Sequence, residues 1–195
     1  MPYSLAMERR GDTKRRMLNS AVLLLRERGA AGVTVDAVLA HSGAPRGSVY
    51  HHFPGGRNEL VLGAARQAGD FITRMVDEAA AGGDAQQVMA RFIAFWKHSL
   101  TDTDYRAGCP VVALAVDSRE DIPDAAELVR EIFARWQVSL SDLLAADGFS
   151  AERAQRLATL VVASVEGAII LARARRDLSP LDDVLAEITP LLGAP

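Results

Sequence analysis

Pro45-Arg46-Gly47-Ser48-Val49-Tyr50-His51-His52-Phe53-Pro54-Gly55-Gly56-Arg57 places an aromatic-histidine cluster between two helix-limiting prolines. Pro45 suits a first helical position, where its missing N–H is not needed. Pro54 disfavours helix at the residue before it, so a helix is expected from Pro45 to about Phe53. Gly55-Gly56 then resets the chain direction. Just upstream, Thr34 to His41 reads as another short helix, with Thr34 as N-cap and Asp36 favoured in the first turn by the helix dipole. Ser42-Gly43-Ala44 is a tight link between the two. Two short helices joined by a glycine-containing turn, the second with polar tips, predict a helix-turn-helix. Such a unit lays its second helix in a DNA major groove.

Outward from this unit the pattern stays helical. Met17, Ala21, Leu24 and Leu25 recur on one helical face, so a first helix is expected from about Asp12 to Arg28, after a disordered basic arm over 1–11. Longer helices follow at roughly 57–81, 84–100, 111–116, 123–146, 150–176 and 180–192. Ser150 is a cap, and Ser179-Pro180-Leu181-Asp182 reads as N-cap, N1, N2 and N3. No segment alternates with period two between turn signals, so no sheet is expected. The predicted architecture is all-α: a helix-turn-helix head over 1–56 and a larger helical body over 57–195.

Composition bounds the function. The 195 residues are 49% hydrophobic and 24% charged, ordinary for a globular chain. The N-terminus lacks the apolar core of a secretory signal, and no apolar run is read as long enough to cross a bilayer. Cys109 is the single cysteine and has no internal disulfide partner, which fits a reducing, cytoplasmic setting. Residues 1–60 carry nine Lys/Arg against five Asp/Glu, and residues 61–195 carry thirteen against twenty. A basic head on an acidic body points the head at a polyanion. An enzyme would need a nucleophile and base, a phosphate loop or a metal-ligand set, and none of these patterns is present, so neither a catalytic residue nor a cofactor is expected. A non-specific architectural DNA binder would be far more basic.

The run Gly43 to Phe53, with Thr34 and a basic residue opening the next helix, resembles the TetR family of bacterial transcriptional regulators over residues 12–60. Arg106-Ala107-Gly108-Cys109-Pro110-Val111 and the Pro54-Gly55-Gly56 ending are similar to its LmrA/YxaF-like branch. The resemblance implies a ligand-binding, dimerising helical body and a repressor released from a palindromic operator by a small molecule. Two positions depart from the common pattern. Pro45 stands where many members have Ser or Thr, leaving Ala44 at the cap. Arg57 stands where many have Lys, keeping the charge.

Residue roles follow from this frame. Val49 and Phe53, four apart, are expected to anchor the helix. Arg46, Gly47, Ser48, Tyr50, His51 and His52 are left for the DNA side, with Arg46 nearest a base edge and Gly47 permitting close approach. Tyr50 and His52 match the family's phosphate-contacting positions. Thr34 and Arg57, at helix N-termini, and Lys14 are further phosphate candidates. Each has a plainer reading: Tyr50-His51-His52 as the edge of a small core, Arg46 as a solvated charge. Adjacent histidines diverge on a helix, which argues against a metal. In the body, Phe92, Trp96, Val112, Phe133 and Trp136 are candidate walls of a largely apolar effector pocket, or ordinary core. Glu166 lies in an apolar stretch and, if buried, needs a partner: an arginine, a second subunit or a cationic ligand; the plainer reading is that it faces water. Val162, Val165, Ile169, Leu185 and Ile188 are candidates for a homodimer interface, with burial inside one subunit as the alternative.

Overall fold

A computed structural model of the chain describes residues 2–117 and 122–193, with side chains from residue 12 onward. Among the described residues there are nine α-helices, one 3-10 turn and no strand. They are α1 (Pro2–Arg28), the 3-10 turn Ala30–Gly32, α2 (Val35–Ser42), α3 (Ser48–His52) and α4 (Gly56–Ala80). Then come α5 (Ala85–Asp102), α6 (Pro110–Val116), α7 (Ala125–Ala146), α8 (Ala151–Arg175) and α9 (Ser179–Leu192). The all-α expectation holds. The chain divides into two compact units, Met1–Ala68 with Pro110–Val129, and Gly69–Cys109 with Arg130–Pro195. Their boundary falls inside α4 and α7, whereas the functional division read from the sequence falls at 56/57.

The first unit is built on the apolar face of α1. Met17, Ala21, Leu24 and Leu25 are all buried, together with Val38 and Leu39 of α2 and Val49 and Phe53 of the α3 segment. Full burial of a Met- or Phe-sized side chain stabilises by roughly 1.5–3 kcal/mol. Thr34 caps α2 by accepting from the Ala37 N–H at 3.1 Å. Gly43 ends α2 in the left-handed region, at φ 65°, and its N–H closes on the Leu39 carbonyl. Ser20, the one buried polar side chain of this core, bonds the His41 ring at 3.0 Å. Gly29 (φ +69°) lets the chain pass against Asp117, whose carboxylate accepts from the Ala30 N–H at 2.9 Å. A Cβ on Gly29 would sit 2.2 Å from that carboxylate. The contact fixes the end of α6, which packs on α1.

Four expectations are corrected here. Residues 2–11 continue α1 rather than forming a disordered arm. α3 begins at Ser48, not Pro45: the Pro45 carbonyl accepts from the Ser48 N–H at 2.9 Å and from its hydroxyl at 2.6 Å. Pro45 and Arg46 therefore form a turn, and Gly47 rather than Ala44 precedes the helix. α9 begins at Ser179 with Leu178 in the cap position, because the Ser179 hydroxyl is turned back to Asp177. Finally, α8 is long and apolar enough to cross a membrane by length and composition, against the reading that no run is. Residues 157–172 carry Glu166 as their one charge between charged ends, and the helix packs on α9 and α5. The polar link expected at 117–121 lies, beyond Asp117, outside the described residues.

In the second unit α8 packs on α9 and α5. Ser150 caps it through the Arg153 N–H. Leu157, Val161, Val165, Ala168, Ile169 and Ala172 form its buried face. α4 and α7 approach closely at Gly69, where a Cβ would meet Ile132 at 2.9 Å, and Trp136 Nε1 donates to the Gly69 carbonyl at 3.2 Å. The Arg135–Asp70 ion pair at 2.8 Å flanks this crossing. On α9, Asp182 pairs with Lys97 of α5 at 2.6 Å, and the Thr189 carbonyl accepts from Gln86 at 2.8 Å.

Candidate nucleic-acid interface and effector cavity

α3 has two faces of opposite character. Val49 and Phe53 point into the first unit and fix the helix by packing. Arg46, 87% exposed, and Tyr50, 65% exposed, stand on the outside with His51. His52 is half-buried, its ring 4.9 Å from that of His51 in an edge-on arrangement. Ser48 is half-buried, and its hydroxyl is engaged by Pro45. Arg46 reaches Asp36 at 3.4 Å, but both are exposed. Such a surface pair is worth little, so the guanidinium can leave it at low cost.

Gly47 is informative for what it does not need. Its backbone is ordinary right-handed helix, at φ −70° and ψ −12°, and an added Cβ would meet nothing within 4 Å. Neither conformation nor packing in the free chain demands glycine there.

The phosphate candidates fare differently from one another. Thr34 is exposed and its hydroxyl caps α2. Lys14 lies with Nζ 5.4 Å above the Phe53 ring, at the border of the α3 segment. Arg57, expected to hold a phosphate, has its guanidinium on the chain itself. Nε donates to the Val33 carbonyl at 3.0 Å and a terminal nitrogen to the Ala30 carbonyl at 2.9 Å. It braces the 3-10 turn that leads into α2. Among the described residues no group of three His, Cys, Asp or Glu is placed to hold a metal.

The second unit encloses an apolar cavity, with about 40 Å³ of space for the centre of a water-sized sphere. It is walled by α4, α5, α7, α8 and α9, and Met89, Phe92, Trp136, Leu144 and Val165 contribute side chains. Glu166 lines the same cavity. Of the expected pocket residues, Phe92, Trp136 and Glu166 are thus brought together. Trp96 is not in the lining; it is buried in an aromatic cluster with Phe92 and Phe95. Phe133 is also outside the lining and packs edge-on against Trp136 at 5.3 Å. Val112 is outside it as well and belongs to the first unit.

Glu166 accepts a hydrogen bond from the Cys109 thiol, while its Oε2 is buried without a partner. Burial pushes its carboxyl up from 4.5 to about 7, with the Cys109 bond pulling the other way. No local sequence pattern marks this pair, because the two residues are far apart in the chain. Gly108 of that link seats against Arg173, which a Cβ would approach to 2.7 Å, and Arg173 donates to the Arg106 carbonyl at 2.7 Å. Glu166 and Arg173, two turns apart on α8, thus hold the two sides of Gly108-Cys109. The Gly-Cys-Pro stretch is thus held as a packing element against α8.

The expected dimer residues lie mostly inside. Val165, Ile169 and Ile188 are buried in the single chain, Val162 is half-buried and lines the cavity, and Leu185 is half-buried. The outer strip of α8 is instead Leu160, Ile170 and Leu171, which are 42%, 51% and 47% exposed. Gly167 lies between them, with open space where a Cβ would be.

A short exposed helix held by two core anchors, after a glycine-terminated helix, is the reading head of a helix-turn-helix regulator. Comparison with known proteins makes this specific. Residues 17–64 match the model of bacterial regulatory proteins of the tetR family, and residues 85–187 match that of the LmrA/YxaF-like transcriptional regulator C-terminal domain. An HTH-type transcriptional regulator of Mycobacterium tuberculosis is 42% identical over 186 residues, covering 93% of this chain and 94% of the relative. The HTH-type transcriptional regulator LmrA of Bacillus subtilis is 28% identical over 183 residues, covering 93% and 97%. A regulatory protein TetR from Rhodobacter sphaeroides shares the fold, with a TM-score of 0.80 at 22% identity over 90% of this chain and 96% of that one. The chain belongs to the TetR family of bacterial transcriptional regulators, in its LmrA/YxaF-like branch. That family consists of transcriptional regulators, not enzymes.

Proposed function

We propose that this protein is a cytoplasmic, homodimeric repressor that binds a palindromic operator through α3 and releases it when a largely apolar molecule enters the second-unit cavity. The observation that carries the reading is Gly47: an exposed glycine without a structural need, set between Arg46 and the Ser48–His52 helix. Arg46 reads a base edge, and Tyr50, His51, His52 and Lys14 contact phosphates, which set register without carrying sequence information. Thr34 positions α2 by capping, its N-terminal N–H groups offering a further phosphate site. Arg57 acts as a brace. On this reading residues 1–56 are the DNA-reading domain and 57–195 the sensing and dimerising domain.

Dimerisation uses the outer strip of α8, Leu160, Gly167, Ile170 and Leu171, with Leu191 of α9, which is 38% exposed. Apolar side chains exposed along one helical strip are what a second copy covers. The effector acts by population shift: it binds better to one conformation of the body, and that conformation has the lower operator affinity. The test is selection of genomic fragments on the purified protein, followed by a salt titration. Sequence-selective binding that weakens steeply with salt is expected. Absence of selective binding to any fragment sinks the reading, and a chain that stays monomeric at micromolar concentration sinks the dimer.

A further inference from the structure

We propose that the effector is a lipophilic monocation, an apolar molecule whose protonated nitrogen is held by Glu166. The inference rests on the reading of the second-unit cavity as the effector site, and narrows the class of molecule that fits it.

The cavity is apolar on every side but one. The residues that line it from α4, α5, α7 and α9 carry no titratable group, and Glu166 is the only one from α8. Its single hydrogen bond comes from the Cys109 thiol, and Oε2 is left buried and unpartnered. A buried carboxylate oxygen in that state is unfavourable until a donor arrives, and a cationic donor restores most. Among the described residues no cation is bonded to Oε2. Arg173, two turns along α8, gives a terminal nitrogen to the Arg106 carbonyl and keeps its Nε buried without a partner, and Arg106 gives its Nε to the Thr103 carbonyl. An anionic ligand would meet a like charge with no basic group in the wall. An uncharged apolar ligand would bury Oε2 more deeply still. A slim aryl or alkyl amine meets both demands, its tail among Met89, Phe92 and Trp136 and its nitrogen on Oε2. The present opening is small, so the tail must displace side chains. Unbranched Met89 is suited to such repacking.

The carboxyl sits near half-ionisation at neutral pH, and a bound cation favours its ionised form. Amine binding to the ionised form therefore strengthens as pH rises from 6 to 8, with proton release in that window. Cys109 is a titratable neighbour that faces the carboxyl, as the donor of its hydrogen bond.

The experiment uses the full chain and three probes with one tail: 4-phenylbutylamine, 4-phenylbutanol and 4-phenylbutyrate. Binding is measured by calorimetry at pH 6 and pH 8, and release of selected operator DNA is followed separately. The amine is expected to bind at least tenfold more tightly than the alcohol at pH 8. Its affinity should fall by up to about tenfold at pH 6, the change in ionised fraction of a group titrating near 7. Glu166→Gln should bind amine and alcohol alike with no such pH dependence, and Glu166→Asp should keep a reduced preference for the amine. Circular dichroism checks that both variants fold. Equal affinities for amine and alcohol, no binding by any of the three, or an amine preference that survives in Glu166→Gln would overturn the proposal. Operator release by amine and alcohol alike would remove the cation and leave the regulator standing. Amine binding that depends on Glu166, with no selective DNA binding, would do the reverse.

Discussion

The α3 surface and the second-unit cavity handle polar groups in opposite ways. Around α3 the polar side chains face outward, and their anchors, Val49 and Phe53, are wholly apolar and buried. In the cavity the walls are apolar and one carboxylate oxygen is buried without a partner. The first arrangement costs the fold little, because exposed groups stay hydrated until a partner displaces the water. The second costs stability in the absence of ligand, because the desolvated group has nothing in exchange. A reader of a polyanion must be rigid and pre-formed. A sensor must hold a state that a ligand can improve, since a ligand shifts an equilibrium only by its differential affinity for the two states. On the proposed reading, the unpaired oxygen is where that difference is stored.

The largest effect that can break the comparison is on the anchor. Phe53→Ala should cost roughly 3–5 kcal/mol, as for other buried aromatics, and abolish DNA binding. Chemical denaturation checks it; a loss below 1 kcal/mol would mean that α3 is not held by this contact. The next is on the carboxylate. Its folded pKa of about 7 lies above the ordinary 4.5, so between those values the folded chain keeps a proton that the unfolded chain has lost. Stability from this group is present at low pH and is lost as pH rises through 7, by up to about 3 kcal/mol. Glu166→Gln should remove that loss. Its stability relative to the unsubstituted chain should therefore rise between pH 5 and pH 8, as followed by thermal or urea unfolding.

Smaller effects sharpen the head. Arg46→Ala should leave stability unchanged, since its pairing with Asp36 is exposed. It should cost about 1–3 kcal/mol of discrimination at one operator position, measured by competition among operator variants. Thr34→Ala removes the cap on α2 and should cost about 1 kcal/mol of stability, with a parallel but sequence-independent loss of DNA affinity.

What the sequence revealed follows the range of the interactions involved. The caps Thr34 and Ser150, the end of α2 at Gly43 and the α1 core face are set by neighbours within a turn or two, and they were legible. The start of α3 was not, because Pro45 is compatible with both a first helical position and the turn it occupies. Arg57 was read as a phosphate ligand because a basic residue at a helix start looks the same whether it faces solvent or the carbonyls of Ala30 and Val33. The Cys109–Glu166 pair bridges two distant segments and leaves no periodic trace. α8 is apolar around most of its circumference, so its sequence could not distinguish the buried Val165 and Ile169 from the outer Ile170 and Leu171.

The central claim is that the Arg46–His52 face meets DNA, and Gly47 tests it most directly. A Cβ added there meets no atom of the free chain within 4 Å, and the backbone is ordinary right-handed helix. Gly47→Leu should therefore unfold within about 1 kcal/mol of the unsubstituted protein, or slightly later through a less flexible unfolded chain. Its affinity for the selected operator, measured in the same buffer, should fall at least tenfold. A folded Gly47→Leu protein that binds the operator as tightly as the unsubstituted one would contradict the account.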